Sequence, residues 1–115
     1  MSNPRLEQVK QEVSEHSVLL YMKGTPAFPQ CGFSATICQI LSHLDCDYHH
    51  INTLIDPGLR DAVKQFADWP AIPMLFMDGE FIGGADIVRD LYDSGELQDR
   101  LNSIGFGLKK SHIAK

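Results

Sequence analysis

The sequence predicts an α/β fold: a four-stranded mixed sheet with helices on both faces. Three observations carry this. Short apolar runs of strand length alternate with stretches whose apolar residues recur at helical spacing. The first two strand runs are separated by a helix, so they are parallel with a right-handed crossover. The last two are joined across Asp78-Gly79, a two-residue hairpin signal, and are antiparallel. Helices covering both faces of such a sheet bury its apolar sides.

The elements follow in order. Leu6, Val9 and Val13 sit at helical spacing among charged residues 4–15, in a helix opened by Pro4. Ser17 to Met22 is an apolar strand buried on both faces and bounded by Lys23-Gly24-Thr25-Pro26. Pro26, Pro29 and Gly32 then impose a loop. Phe33, Ile37, Ile40, Leu41 and Leu44 form one stripe of a second helix. Tyr48 to Asn52 reads as the second strand, and Leu59, Val63 and Phe66 mark a helix starting near Asp56-Pro57 and stopped by Trp69-Pro70. Met74 to Met77 and Glu80 to Gly83 form the hairpin. Ile87, Val88, Leu91 and Tyr92 begin a helix broken near Ser94-Gly95, and Leu97, Leu101 and Ile104 mark the last one.

At 115 residues and 43% hydrophobic composition, one domain with a sizeable core is expected, spanning 1–115 with its core at about 5–104 and a mobile tail from Gly105. Ten Lys and Arg stand against 15 Asp and Glu, a formal charge of -5. That balance excludes a basic footprint for duplex nucleic acid and a polybasic membrane patch. No apolar run approaches the ~20 residues that span a bilayer, and the first twelve residues lack a signal-peptide core. Three cysteines, an odd number, argue against a secreted disulfide framework, so a soluble protein in a reducing, cytoplasmic setting is expected.

The sharpest feature is Pro29-Gln30-Cys31-Gly32-Phe33-Ser34, between a buried strand and an amphipathic helix. Unpaired N–H groups and the positive end of the helix dipole favour thiolate at Cys31, and Lys23 can add positive charge from the end of the strand. The plainer alternative is a half-buried turn cysteine beside a solvated lysine. Ser34 stands where a C-x-x-C dithiol has its second sulfur, so no disulfide closes within the motif. Cys38 lies about 10 Å further along the helix, too far to bridge. Cys38 and Cys46 therefore read as packed or surface thiols. The five histidines show no ligand spacing, and His49-His50 alternate across a strand as a structural pair.

The segment K-G-T-P-x-x-P-x-C-G-F-S, Lys23 to Ser34, resembles the active-site segment of the monothiol, CGFS-type glutaredoxins. The resemblance continues through Trp69-Pro70-Ala71-Ile72-Pro73 and Gly83-Gly84-Ala85-Asp86-Ile87, and covers about residues 5–104. It implies a thioredoxin fold, glutathione binding at Cys31-Gly32-Phe33, and homodimers bridged by a [2Fe-2S] cluster. It also implies work in iron–sulfur assembly with a BolA-like partner and cluster-accepting proteins. Carried over by position, Lys23 and Arg60, with Lys64 beside them, meet the glycyl carboxylate of glutathione. Without the resemblance, Arg60 and Lys64 are also what a solvated helix face would carry. Phe33 walls the mouth or joins the core stripe. Pro73 is the cis-proline facing Cys31, and the Ile72 backbone pairs with the peptide like an added strand. Gly84, Ala85 and Asp86 start a helix whose N–H groups suit the γ-glutamyl carboxylate, with Asp86 meeting the amine, serving as an N-cap, or both. Ala71 replaces the family's usual Thr, and Ala85 a frequent Cys, which removes one route to an internal disulfide.

Four thiolates hold a typical [2Fe-2S] cluster. One chain cannot supply them, whereas Cys31 from two chains plus two glutathione thiolates can. The expectation is a cluster carrier with at most weak reductase activity, Cys31 being both metal ligand and reactive thiol. The alternative is a glutathione-dependent oxidoreductase acting on protein–glutathione mixed disulfides. The loop Thr25 to Pro29, longer than the turn of efficient dithiol members, favours the carrier.

Overall fold

A computed structural model describes residues 3–104. The predicted tail at 105–115 lies outside the described residues. Helix α1 (Pro4–Glu15) starts where the Asn3 side chain accepts the Arg5 N–H at 2.9 Å, with Pro4 in its first turn. Strand β1 (Val18–Met22) follows, then α2 (Gly32–His43), β2 (His49–Asn52) and α3 (Pro57–Ala67). The hairpin β3 (Met74–Met77) and β4 (Glu80–Gly83) leads into α4 (Ala85–Ser94) and α5 (Glu96–Ser103).

The sheet order is β2-β1-β3-β4. Strand β1 pairs parallel with β2, Met22 opposite Asn52, and antiparallel with β3, Tyr21 opposite Met74. The Asp78-Gly79 turn has positive φ at both residues (53° and 82°), the conformation that lets a two-residue turn follow the strand twist. This is the arrangement expected of a thioredoxin fold.

All five residues of β1 are buried, and their alternation divides the core in two. Val18, Leu20 and Met22 face α2, α4 and α5, packing with Ile37, Leu41, Val88 and Leu97. Leu19 and Tyr21 face α1 and α3, packing with Val9, Val13, Val63 and Phe76. Burying a side chain of this size contributes about 1.5–3 kcal/mol, so both faces hold the strand in place. The Tyr21 hydroxyl donates to the Glu12 carboxylate at 2.6 Å, satisfying a buried phenol whose pKa burial raises.

Three local expectations are corrected. Phe33 does not join the core stripe of α2: it is 59% exposed and lines a surface cavity, while its neighbour Ser34 is the residue of that turn that is buried. Strand β2 begins at His49 rather than Tyr48. A 3-10 turn, Thr53–Ile55, intervenes before α3, held by Asn52 accepting the Leu54 N–H and Thr53 donating to the Met22 carbonyl.

His49 stacks on His16 with ring centroids 3.9 Å apart, so its structural partner is not its neighbour His50. Burial, then the charges of His16 and His50, push the His49 pKa down against an opposing pull from Glu12. The folded chain therefore binds fewer protons than the unfolded one as pH falls through about 6.5, and stability falls with it. Denaturant midpoints measured from pH 8 to pH 5 should drop less steeply for His49→Gln than for the unchanged chain.

Candidate functional site

One end of the sheet gathers the carboxyl ends of β1, β2 and β4 and the start of β3. Cys31 is the N-cap of α2 at this end, with extended backbone (φ -153°, ψ 134°) and no side-chain cap on the helix. Its thiol is partly exposed, whereas Cys38 and Cys46 are buried. Partial burial pushes the Cys31 pKa up. The backbone N–H groups of Ser34 and Phe33, the Lys23 charge and the Ser34 hydroxyl outweigh it, and the net shift is downward. Cys38 goes the other way: burial dominates and raises its pKa.

Ser34 does more than replace a second sulfur. It is fully buried, and its Oγ accepts the Lys23 N–H at 3.1 Å while its hydroxyl hydrogen-bonds the Cys31 thiol. One side chain thus ties the end of β1 to the reactive cysteine. The loop between them is equally fixed. Gln30 N–H donates to the Lys23 carbonyl, Gly24 bridges Pro29, and Gly24 N–H donates to the Asn52 side chain. Gly24 has φ of 91°, and a Cβ there would lie 2.5 Å from the Phe28 carbonyl, so only glycine fits.

Beside this mouth lies a cavity of about 380 Å³. Phe33, Ile72, Pro73, Gly84, Ala85 and Asp86, all expected from the sequence, line it. The Ile72-Pro73 bond is cis, as the resemblance implied. Trp69, Ala71 and Ile87 complete the lining. Gly84, not Asp86, is the N-cap of α4, and it has no side chain to offer. Asp86 sits in the first turn, two residues after the cap, where its charge complements the helix dipole. The first N–H groups of α4 are therefore open to an anion from the cavity.

Lys23 reaches Cys31 electrostatically. Gly32 opens α2 with free space where a Cβ would be. Arg60 and Lys64 share one side of α3, away from buried Leu59, Ala62 and Val63, and neither borders the cavity. Arg60 contacts the exposed Asp61 carboxylate at 3.4 Å, a weak surface pair. A larger depression, about 690 Å³, lies under the loop and beyond the end of α2, where Cys38 and Cys46 line it but are buried. Cys31, Lys23 and Gly32 do not line the smaller cavity, which reaches the start of α2 at Phe33, two residues after Cys31.

The Glutaredoxin family model matches residues 18–82. A probable monothiol glutaredoxin 2 of Rickettsia typhi is 44% identical over 101 residues, covering 88% of this chain and 91% of that one. The chain belongs to the monothiol glutaredoxins. Glutaredoxin 4 of Pasteurella multocida is 39% identical over 86% of this chain and 91% of its own length. The solution structure of reduced poplar apo GrxS14 superposes with a TM-score of 0.74 at 44% identity, covering 84% of this chain and 89% of that one. These matches bear out the thioredoxin fold.

Within this monothiol glutaredoxin, sequence reasoning gave no role to Trp69 or to the Ser34 hydroxyl. Trp69 meets Phe81 at 5.4 Å, and its indole nitrogen lies 3.4 Å from where a Gly84 Cβ would be. The glycine pair before α4 was the available signal for a bulky neighbour, but nothing in sequence identified that neighbour.

Proposed function

We propose that the chain binds glutathione in the 380 Å³ cavity and, as a pair of copies, carries a labile [2Fe-2S] cluster for iron–sulfur assembly. The observation that carries this reading is a single accessible thiol, biased toward thiolate, with a serine in the resolving position. Glutathione is the small thiol of the glutaredoxin family, and the cavity suits its parts. Open N–H groups of α4 suit the γ-glutamyl carboxylate, and Asp86 suits its ammonium. The Ile72 backbone suits the cysteinyl segment, and the cations Lys23, Arg60 and Lys64 suit the glycyl carboxylate.

The cluster is cargo, and the donor set fits it only when shared. Among the described residues no three His, Cys, Asp or Glu side chains are grouped to hold a metal. Cys31 from each of two copies and two glutathione thiolates make the four ligands. Two of those ligands exchange with solvent, which suits transfer. A BolA-like protein in place of one copy, and apoproteins that accept the cluster, are the partners of this reading, in the cytoplasm.

The lowered Cys31 pKa supports a second activity. The Cys31 thiolate attacks the glutathione sulfur of a mixed disulfide, the protein thiolate leaves, and a second glutathione thiolate then releases Cys31 with formation of oxidised glutathione. The loop at 24–30, pinned by the Gln30–Lys23 and Gly24–Asn52 hydrogen bonds, is the feature that supports the carrier reading as the main one, as its length beyond a short turn suggested.

Anaerobic reconstitution with iron, sulfide and glutathione tests this. A coloured dimer is expected, and it should not form when glutathione is omitted. Colour without any added thiol, or a colourless monomer that rapidly turns over mixed disulfides, would overturn the carrier reading.

A further inference from the structure

Apart from the Tyr21 phenol and the thiols, two polar side chains are buried among the described residues, Ser34 and Thr53. Both bind the same peptide group. The Thr53 hydroxyl donates to the Met22 carbonyl at 3.0 Å, and the Ser34 Oγ accepts the Lys23 N–H at 3.1 Å. The next peptide group is held as completely. The Gln30 N–H donates to the Lys23 carbonyl at 2.9 Å, and the Gly24 N–H donates to Asn52 Oδ1 at 2.9 Å. All four polar backbone atoms flanking the Lys23 side chain are therefore fixed, although β1 has already ended at Met22. Asn52 and Thr53 supply two of the four from the end of β2, 28 and 31 residues away along the chain. Asn52 Oδ1 also caps the 3-10 turn by accepting the Leu54 N–H at 3.0 Å. Capping that turn does not require the bond to Gly24, so capping alone leaves the second bond without a purpose. Among the described residues no carboxylate pairs with Lys23, so its ammonium takes its position from the backbone beneath it.

We propose that Asn52 and Thr53 are positioning residues, a clamp on the backbone either side of Lys23 that holds its ammonium at the Cys31 mouth. The consequence for ligand choice rests on the glutathione reading: a cation already in place receives the glycyl carboxylate without the cost of ordering the chain beneath it. The clamp itself stands on the hydrogen bonds alone. It also accounts for a polar pair, Asn-Thr, at the end of a strand whose partner β1 is wholly apolar.

The test reads the charge at the thiol without titrating it. Iodoacetate and iodoacetamide alkylate the same Cys31 thiolate, so the ratio of their rate constants at one pH cancels the thiolate fraction and reports how far the mouth favours an anion. Cys38 and Cys46 are buried and react too slowly to contribute. At low salt Lys23→Gln should lower the ratio about threefold. Asn52→Ala and Thr53→Val should each lower it by up to the same factor, whereas Thr53→Ser keeps the hydroxyl and should keep the wild-type ratio. Added to Lys23→Gln, Asn52→Ala should cause no further fall, because it acts through Lys23. In parallel, quenching of Trp69 fluorescence should show Asn52→Ala weakening the binding of glutathione but not of its glycyl ethyl ester. A ratio unchanged in Asn52→Ala and Thr53→Val, or a further fall in the double variant, would overturn the clamp. The ratio uses no glutathione, so a wild type that binds glutathione and the ester equally would overturn the carboxylate role of Lys23 and leave the clamp standing.

Discussion

A Cys31→Ser chain is expected to take up no cluster and to lose its fast reaction with iodoacetamide, by at least about a hundredfold at pH 7. The remaining thiols, Cys38 and Cys46, are buried and react only through opening of the fold. In the unchanged protein, the alkylation rate should reach half its maximum at a pH below the ordinary thiol value. Burial opposes this, but the N–H groups of Ser34 and Phe33, the Lys23 charge and the Ser34 hydroxyl prevail. Lys23→Gln and Ser34→Ala should each move that midpoint upward. The same groups predict a sign for stability. The folded thiol ionises before the unfolded one, so this contribution is present above the unfolded pKa and is lost as pH falls through the folded pKa. A midpoint at or above that of a free thiol would remove the electrostatic basis of the site.

Phe76→Ala should cause the largest loss of stability, about 3–5 kcal/mol. Phe76 is 1% exposed on β3 and lies 5.8 Å from Tyr21, 6.0 Å from Phe66 and 5.3 Å from Phe81 between ring centroids. Removing its ring leaves a cavity that rigid neighbours on β1, β4 and α3 fill only in part. Domains of this size typically have about 5–15 kcal/mol in total, and each kcal/mol lost lowers Tm by about 4–8 °C. Phe81 also contacts Trp69, so the cavity wall should loosen and glutathione affinity should fall as well. Phe76→Leu keeps most of the volume and should recover most of the stability. Urea and thermal unfolding measure both. A loss under about 1 kcal/mol for the alanine variant would mean that the aromatic cluster is not central to the fold.

The elements were legible because each is a local pattern. Val18 to Met22 can only be a strand buried on both sides, Asp78-Gly79 admits the left-handed backbone that the hairpin needs, and Pro57 and Gly95 mark helix boundaries. The failures have equally particular causes. Phe33 keeps the helical spacing of the α2 stripe, but periodicity records a direction around the helix axis and not whether the sheet extends far enough to cover it. Asp86 is a good capping residue, yet the cap of α4 lies two residues earlier because Gly84 adopts the extended N-cap conformation.

The sequence by itself determined the order of strands and helices, the presence of a lone cysteine at a helix start, and its serine in place of a second thiol. Tertiary structure alone decided that Trp69 walls the cavity, that Ser34 joins Lys23 to Cys31, and that Leu54 and Ile55 stand exposed. The reason is physical. Hydrogen-bond and apolar patterns act over a few residues along the chain, whereas a cavity or an apolar surface forms where segments well separated in sequence meet, and the positions of their side chains exist only once the sheet has brought those segments together.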